Sequence, residues 1–209
     1  MIRRHAPELL TRQDVQGLLD GLKQQSPAVV EELIPSLLTL GQVQKVLQRL
    51  LSERVSIRDL ATVLEALADA ASITKELEPL TERVRQRLAR GLTKQHMESD
   101  GRLYCFTLHP GVEQAIVDGI QRLDSGTHLA LDPTVRQQLL EAIRRQAELM
   151  VAAGHQPLAL CAPRVRSVLR LLAQDAVPTL VALSYAEVTP GTAVEAMGMV
   201  SRTHEDSAL

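Results

Sequence analysis

One feature limits the folds open to this chain more than any other: its hydrophobic period changes part of the way along. Up to about residue 95 apolar residues recur at helical spacing, and from residue 102 onward short apolar runs alternate with helical stretches. Between them lies GLTKQHMESDG, a polar segment ending in Asp100-Gly101, which reads as a subdomain boundary. The expected fold is therefore α+β and mostly helical. A helical bundle over 11–95 is followed by an α/β subdomain with a small mixed sheet over 102–201, then a flexible tail over 202–209.

In the first half, Val15, Leu18, Leu19 and Leu22 share a helix face behind Thr11, a plausible N-cap. Ser26-Pro27 restarts a helix carrying Val29, Val30, Leu33 and Ile34, interrupted at Pro35. Val43, Val46, Leu47, Leu50 and Leu51 form the next apolar face. Ser56, with Asp59 three residues on, predicts a capping box. The helix it opens has Ile57, Leu60, Leu64, Leu67 and Ala71 inward and Arg58, Thr62, Glu65 and Asp69 outward. A last helix, starting near Pro79, turns Leu80, Val84 and Leu88 inward.

In the second half, RLYCFTL, HLAL, PLALCA and LVALSY read as strands, and Thr192–Val200 as a final extended segment. Pro110 opens a helix whose stripe runs from Val112 to Leu123. Asp132-Pro133 pairs an N-cap with a first-turn proline and predicts a helix ending near Gly154. Pro163 opens one more, bearing Val165, Val168, Leu169 and Leu172.

Composition narrows the function. Tyr104, Phe106 and Tyr185 are the only aromatic residues, too few for stacking on nucleic acid bases. The first 95 residues carry 14 Lys/Arg against 12 Asp/Glu and the remainder 9 against 13, so neither half has the basic excess that a phosphate backbone demands. Nucleic acid is not an expected partner. No apolar run reaches the roughly 18 residues of a membrane span, and the N-terminus lacks the apolar core of a secretory signal. Cys105 and Cys161 lie inside apolar segments and read as small buried hydrophobes; a disulfide would require their strands to be neighbours.

The search for chemistry is mostly negative. His5, His96, His109, His128, His155 and His204 show no metal-ligand spacing and read as solvated loop residues. There is no GxSxG, Walker loop or GxGxxG, and Glu31-Glu32 point in different helical directions. No enzyme activity, cofactor or metal is expected. One constellation stands out: Arg83, Arg87, Arg90 and Lys94, spaced four, three and four apart, form a basic stripe on one helix. It reads either as a solvated face near a helix C-terminus or as a docking strip for an acidic surface.

Six stretches in order resemble one family. ELLTRQDVQGLLDGL, VEELIPSLLTLGQVQKVLQRLLSERVSIRDLATVLEALADAA and LTERVRQRLAR are similar to the helical subdomain of the type III export gate family, comprising flagellar FlhA proteins and the virulence-system LcrD/InvA group. LALDPTVRQQLLEAI, QPLALCAPRVRSVLRLL and LVALSYAEV resemble its final subdomain. The resemblance covers about residues 6–200; Ala162 and Ala182 are modest departures, and Ser125-Gly126 and Gln156-Pro157 favour the flagellar branch. It implies a cytoplasmic module of a membrane protein whose membrane half lies outside this sequence, at the cytoplasmic face of the bacterial inner membrane. Implied partners are neighbouring copies in a homo-oligomeric ring, export chaperones with their substrates, the export ATPase complex and the substrate-switch protein. The residues of the family's main chaperone cleft have no counterparts in this sequence. Without the resemblance, the βα alternation would suit a small-molecule-binding module; and since the sequence starts at Met1, a stand-alone truncated regulator is a third reading, which genomic context distinguishes.

Overall fold

A computed structural model describes residues 10–123 and 126–201; the 202–209 tail, Ser125, His5 and His204 lie outside the described residues. The chain divides into two compact units between Leu92 and Thr93.

The first unit is built from helices α1 (Arg12–Lys23), α2 (Pro27–Leu33), α3 (Leu40–Ser52), α4 (Leu60–Ala71) and α5 (Leu77–Arg87), with the first half of α6 (Ala89–His96). Thr11 caps α1 as expected. Its hydroxyl accepts from the Asp14 amide at 3.1 Å while the Asp14 carboxylate accepts from the Thr11 amide at 2.8 Å. Hydrogen bonds from the Thr11 hydroxyl and amide hold the Asp14 carboxyl below the usual range. Thr39 and Gln42 form the same reciprocal box at α3, and the described helices bury Leu33, Val43, Leu47, Leu64 and Leu80 in one core.

The expected box at Ser56 is not formed. Asp59 is itself the N-cap of α4, accepting from the Thr62 amide at 3.2 Å, and Ser56 only closes a local turn with the Arg58 amide. The preceding helix explains the shift. α3 ends in a Schellman pattern, with Arg54 in the left-handed region (φ 60°), its amide on Leu51 and the Val55 amide on Leu50. That turn buries Val55 and leaves 56–58 outside any helix or strand. A carboxylate then starts the helix, because it gains from the helix dipole as a hydroxyl does not. Ile57 packs against the core from this non-helical lead-in rather than from a helix face.

The second unit carries β1 (Arg102–Leu108), α7 (Pro110–Asp118), β2 (Ile120–Leu123), β3 (Gly126–Leu129), α8 (Pro133–Ala152), β4 (Leu158–Cys161), α9 (Pro163–Ala173), β5 (Val181–Ser184) and β6 (Ala193–Val200). The mixed sheet is corrected: the main sheet has order β5-β4-β1-β6 with every pairing parallel, and β2-β3 form a separate antiparallel pair. Parallel strands need crossovers, and α7 to α9 supply them. Burial on both faces gives the unbroken apolar reading of β4 and β5.

The helix expected to run to Leu123 stops at Asp118. Gly119 caps it, and the Ala130 amide donates to the Gly119 carbonyl at 2.8 Å. A Cβ at Gly119 would stand 2.9 Å from the Ala130 carbonyl oxygen, so only glycine lets the returning strand come this close. Ile120 and Leu123 are thus strand residues. The HLAL strand correspondingly lies at Gly126–Leu129.

Helix α4 supplies a direct test. Leu64 is fully buried and Glu65 exposed. Leu64→Ala should lower unfolding free energy by about 2–5 kcal/mol in a denaturant titration, and Glu65→Ala by no more than about 0.5 kcal/mol. Asp59→Ala should cost about 1 kcal/mol, whereas Ser56→Ala should stay within about 0.5 kcal/mol. The reverse order at 56 and 59 would restore the sequence-based cap.

Candidate basic docking face

The four basic residues do not share one helix. Arg83 and Arg87 lie one turn apart on α5, which ends at Arg87, and Leu88 leaves helical geometry (ψ 9°). Arg90 and Lys94 lie on α6, with Lys94 in the second unit. All four side chains are exposed. What the structure supports as a continuous basic face is the Arg83–Arg87 pair, each residue four apart on one helix.

Sequence reasoning missed the residue that orients this face. Arg85 is buried, with its guanidinium Nη1 3.1 Å from Glu53 Oε2. A signal was present: Leu77, Leu80, Thr81, Val84, Arg85 and Leu88 follow the spacing of one inward stripe, with Arg85 the single charge in it. At about 100° per residue, Arg85 points away from both Arg83 and Arg87. Burying the one therefore displays the other two.

The alternative site is the carboxyl edge of the parallel sheet, where α/β folds commonly hold ligands. Here that edge is filled by the protein itself. Glu113, in the first turn of α7, accepts from the Ala162 amide at the start of α9 at 2.7 Å, so a side-chain carboxylate already occupies the anion position of that helix start. His109 accepts from the Gly111 amide at 3.1 Å and caps α7. Tyr185, desolvated and close to Glu113, has its phenol pushed above the usual range and stays protonated. A neighbouring groove is lined by Val112, Ile116, Leu131, Val135 and Leu139, with Gln138 and Ser201 as its polar groups. It offers no charge to orient a metabolite.

Among the described histidines, His96, His109 and His155 are more engaged than solvated loop residues would be. His155 stacks on Tyr104 at 3.9 Å and places Nδ1 2.7 Å from Glu98 Oε1, and His96 Nδ1 lies 3.1 Å from Gln156 Oε1. Among the described residues no three His, Cys, Asp or Glu side chains gather to hold a metal ion. Cys105 and Cys161 are buried and not joined in a disulfide. They sit on adjacent strands, but the register pairing Phe106 with Ala159 sets them three positions apart, about 10 Å and beyond disulfide reach. Burial pushes the Cys105 thiol up to about 11, and the Cys161 thiol faces the Leu183 carbonyl at 3.6 Å.

Two measurements check this geometry. Glu53→Ala, which strips Arg85 of a carboxylate partner in a buried setting, should destabilise the chain by on the order of 3 kcal/mol, whereas Arg83→Ala should change stability by about 0.5 kcal/mol or less. Both cysteines should resist a disulfide-exchange thiol reagent in the native chain and react only on unfolding, since the reagent cannot reach a buried thiol. Fast native labelling of Cys105 would contradict its placement.

Comparison with known proteins completes the picture. The family model described as the FHIPEP family matches residues 1–193. The flagellar biosynthesis protein FlhA of Bacillus subtilis is 38% identical over 199 residues, 95% of this chain and 29% of that protein. This chain therefore spans less than a third of that relative's length. Among solved structures, CdsV of Chlamydia pneumoniae in its complex with CdsO superposes with a TM-score of 0.88 at 28% identity, over 96% of this chain and 58% of that one. The nonameric cytosolic domain of EscV from a type III secretion system superposes with a TM-score of 0.81 at 27% identity, over 94% of this chain and 58% of that one.

Proposed function

The chain belongs to the FHIPEP family, and we propose that it is a cytoplasmic protein-docking module of a flagellar type III export gate, with no enzyme activity of its own. In this reading it contributes to a homo-oligomeric ring at the cytoplasmic face of the bacterial inner membrane. The ring receives export chaperones with their substrates and communicates with the export ATPase complex and the substrate-switch protein. The family match over most of the chain carries the reading. Its flagellar form is supported by the 38% identity to the FlhA protein of Bacillus subtilis. Ring formation is supported by the nonameric assembly of EscV, and partner docking by the CdsV–CdsO complex. Among the described residues no helix is long and apolar enough to cross a membrane.

The basic face is the docking strip of this module. Arg83 and Arg87 present exposed cations on α5, and the hydrogen bond found for the pair among the described residues is a long one from Arg83 to Gln86 at 3.5 Å. Its partner is an acidic surface on a neighbouring copy or an export component. A small-molecule-binding module is the competing class, and thermal-shift screening against nucleotides and metabolites separates the two, because a docking module should respond to none.

The charge-reversal double variant Arg83→Glu, Arg87→Glu tests the strip. The melting temperature of the chain should hardly move, because exposed pairs contribute only about 0–1 kcal/mol. In the complete export gate the same change should weaken ring assembly or secretion, like charges being strongly unfavourable across an interface. The defect should shrink as salt rises, the Debye length falling to about 3 Å at 1 M. Normal assembly and secretion would reduce the strip to a solvated face.

A further inference from the structure

We infer that Arg83 and Arg87 of one copy dock against Glu65 and Asp69 on α4 of the next, so that the acidic partner of the basic face is a second copy of this chain. The inference rests on the ring reading above and names the surface that the basic face meets. Both surfaces lie in the first unit. Helix α4 reads LATVLEALADAA, with Glu65 and Asp69 as its two charged residues. They are also the only residues of that helix in the exposed class. A helix buried this far round its circumference reaches solvent along one line, and residues four apart share such a line.

The acidic and basic strips are complementary in sign and in spacing. Each is a pair four residues apart, its charges standing about 6 Å from one another along the helix axis. Among the described residues, the side-chain-mediated bond found at the acidic pair runs from the Ser72 hydroxyl to the Asp69 main-chain carbonyl at 2.6 Å, which leaves both carboxylates unpaired. Asp14, Asp20 and Glu31 of the same unit are instead committed locally, to Thr11, Gln16 and Lys23. α4 and α5 turn their apolar faces into one core, so the strips face solvent and their pairing is between chains.

An exposed isoleucine sets the direction of the contact. With α4 and the neighbour's α5 antiparallel, Glu65 faces Arg87, Asp69 faces Arg83, and Ile73 comes level with Pro79 in the first turn of α5. Ile73 is 82% exposed. Its loop is tied down: the Ile73 and Thr74 amides both donate to the Ala70 carbonyl, and Lys75 Nζ donates to the Leu37 carbonyl at 2.6 Å. An isoleucine held out in water gains by meeting an apolar ring. A parallel arrangement would set Ile73 past Arg87, where α5 has ended. Because the contact joins two different surfaces, each copy keeps its other strip for the next neighbour, as a closed ring requires. The ion pairs fix register and reject wrong neighbours more than they add strength.

Charge exchange in the complete export gate tests the contact. Glu65→Arg with Asp69→Arg should reduce ring assembly and secretion several-fold, as Arg83→Glu with Arg87→Glu should, while the melting temperature of the chain hardly moves. Combining all four changes should restore assembly, because each opposing pair regains opposite signs. If the basic face instead met an export component, the fourfold variant would stay as defective as the arginine reversals, and the inference would be overturned. A second measurement needs no reversal. Two differently tagged gates are expressed together, one with Asp69→Cys and the other with Arg83→Cys. On oxidation they should form mixed-tag crosslinks at several-fold higher yield than Asp69→Cys paired with Arg145→Cys, a position exposed on α8 of the second unit. Equal yields would overturn the contact. A native gate that forms no ring would sink the ring reading and this contact with it, whereas a normal ring indifferent to all four positions would sink the contact alone.

Discussion

The buried guanidinium of Arg85 constrains the first unit more than any single apolar contact does. An arginine with 2% of its side chain exposed is tolerable only where its charge is met, and Glu53, at the C-terminal cap of α3, meets it. The pair fixes the rotation of α5 about its own axis, because no other register puts Arg85 against Glu53. Thr81 and Val84 then fall inside and Arg83 and Arg87 outside. The same ion pair depends on how α3 terminates: the left-handed Arg54 turn brings Val55 into the core directly after Glu53. Display of the basic face is thus a consequence of an electrostatic requirement in the interior.

In the second unit the corresponding constraint is the central position of β1. It pairs with β4 on one side and β6 on the other, both parallel, so its residues Leu103, Cys105, Phe106 and Leu108 are all buried. The carboxyl ends of these strands, where a ligand would be expected, are consumed by capping: Glu113 serves the start of α9 and His109 the start of α7. The sheet acts as a scaffold whose order, β5-β4-β1-β6, keeps β1 and β4 in its interior.

Much of this was legible in the residues. Thr11, Asp132-Pro133 and the Leu60–Leu64–Leu67 stripe each combine a local signal with the tertiary outcome, and they fell where periodicity placed them. The misreadings occurred where two local signals competed. Ser56 and Asp59 are both good caps, and only the Schellman turn before them decides between them. Ile120 and Leu123 continue a helical stripe in spacing, yet Gly119 and the approach of the Ala130 carbonyl end the helix first. The basic stripe looked continuous because nothing in Arg87-Leu88-Ala89 marks a break. At Arg85 two signals conflict: a charge favours water, whereas the spacing from Leu77, Thr81 and Leu88 places it inside. Whether strands pair in one mixed sheet or two separate ones is a long-range property, and hydrophobic period does not carry it.

The pairing of β1 with β6 also orders events in time. Arg102 meets Ala193 and Leu108 meets Val200, so the central strand is one of the first parts of its unit to be synthesised and one of the last to be completed. Contacts this distant along the chain close slowly, since loop entropy must be overcome before the ladder forms. The first unit joins helices that follow one another closely in sequence and can assemble while the remainder is still on the ribosome. Until residue 200 has emerged, β1 has only β4 beside it and leaves an apolar flank open. The interval between making Cys161 and making Val200 is therefore the period in which the nascent chain is most exposed to mispairing.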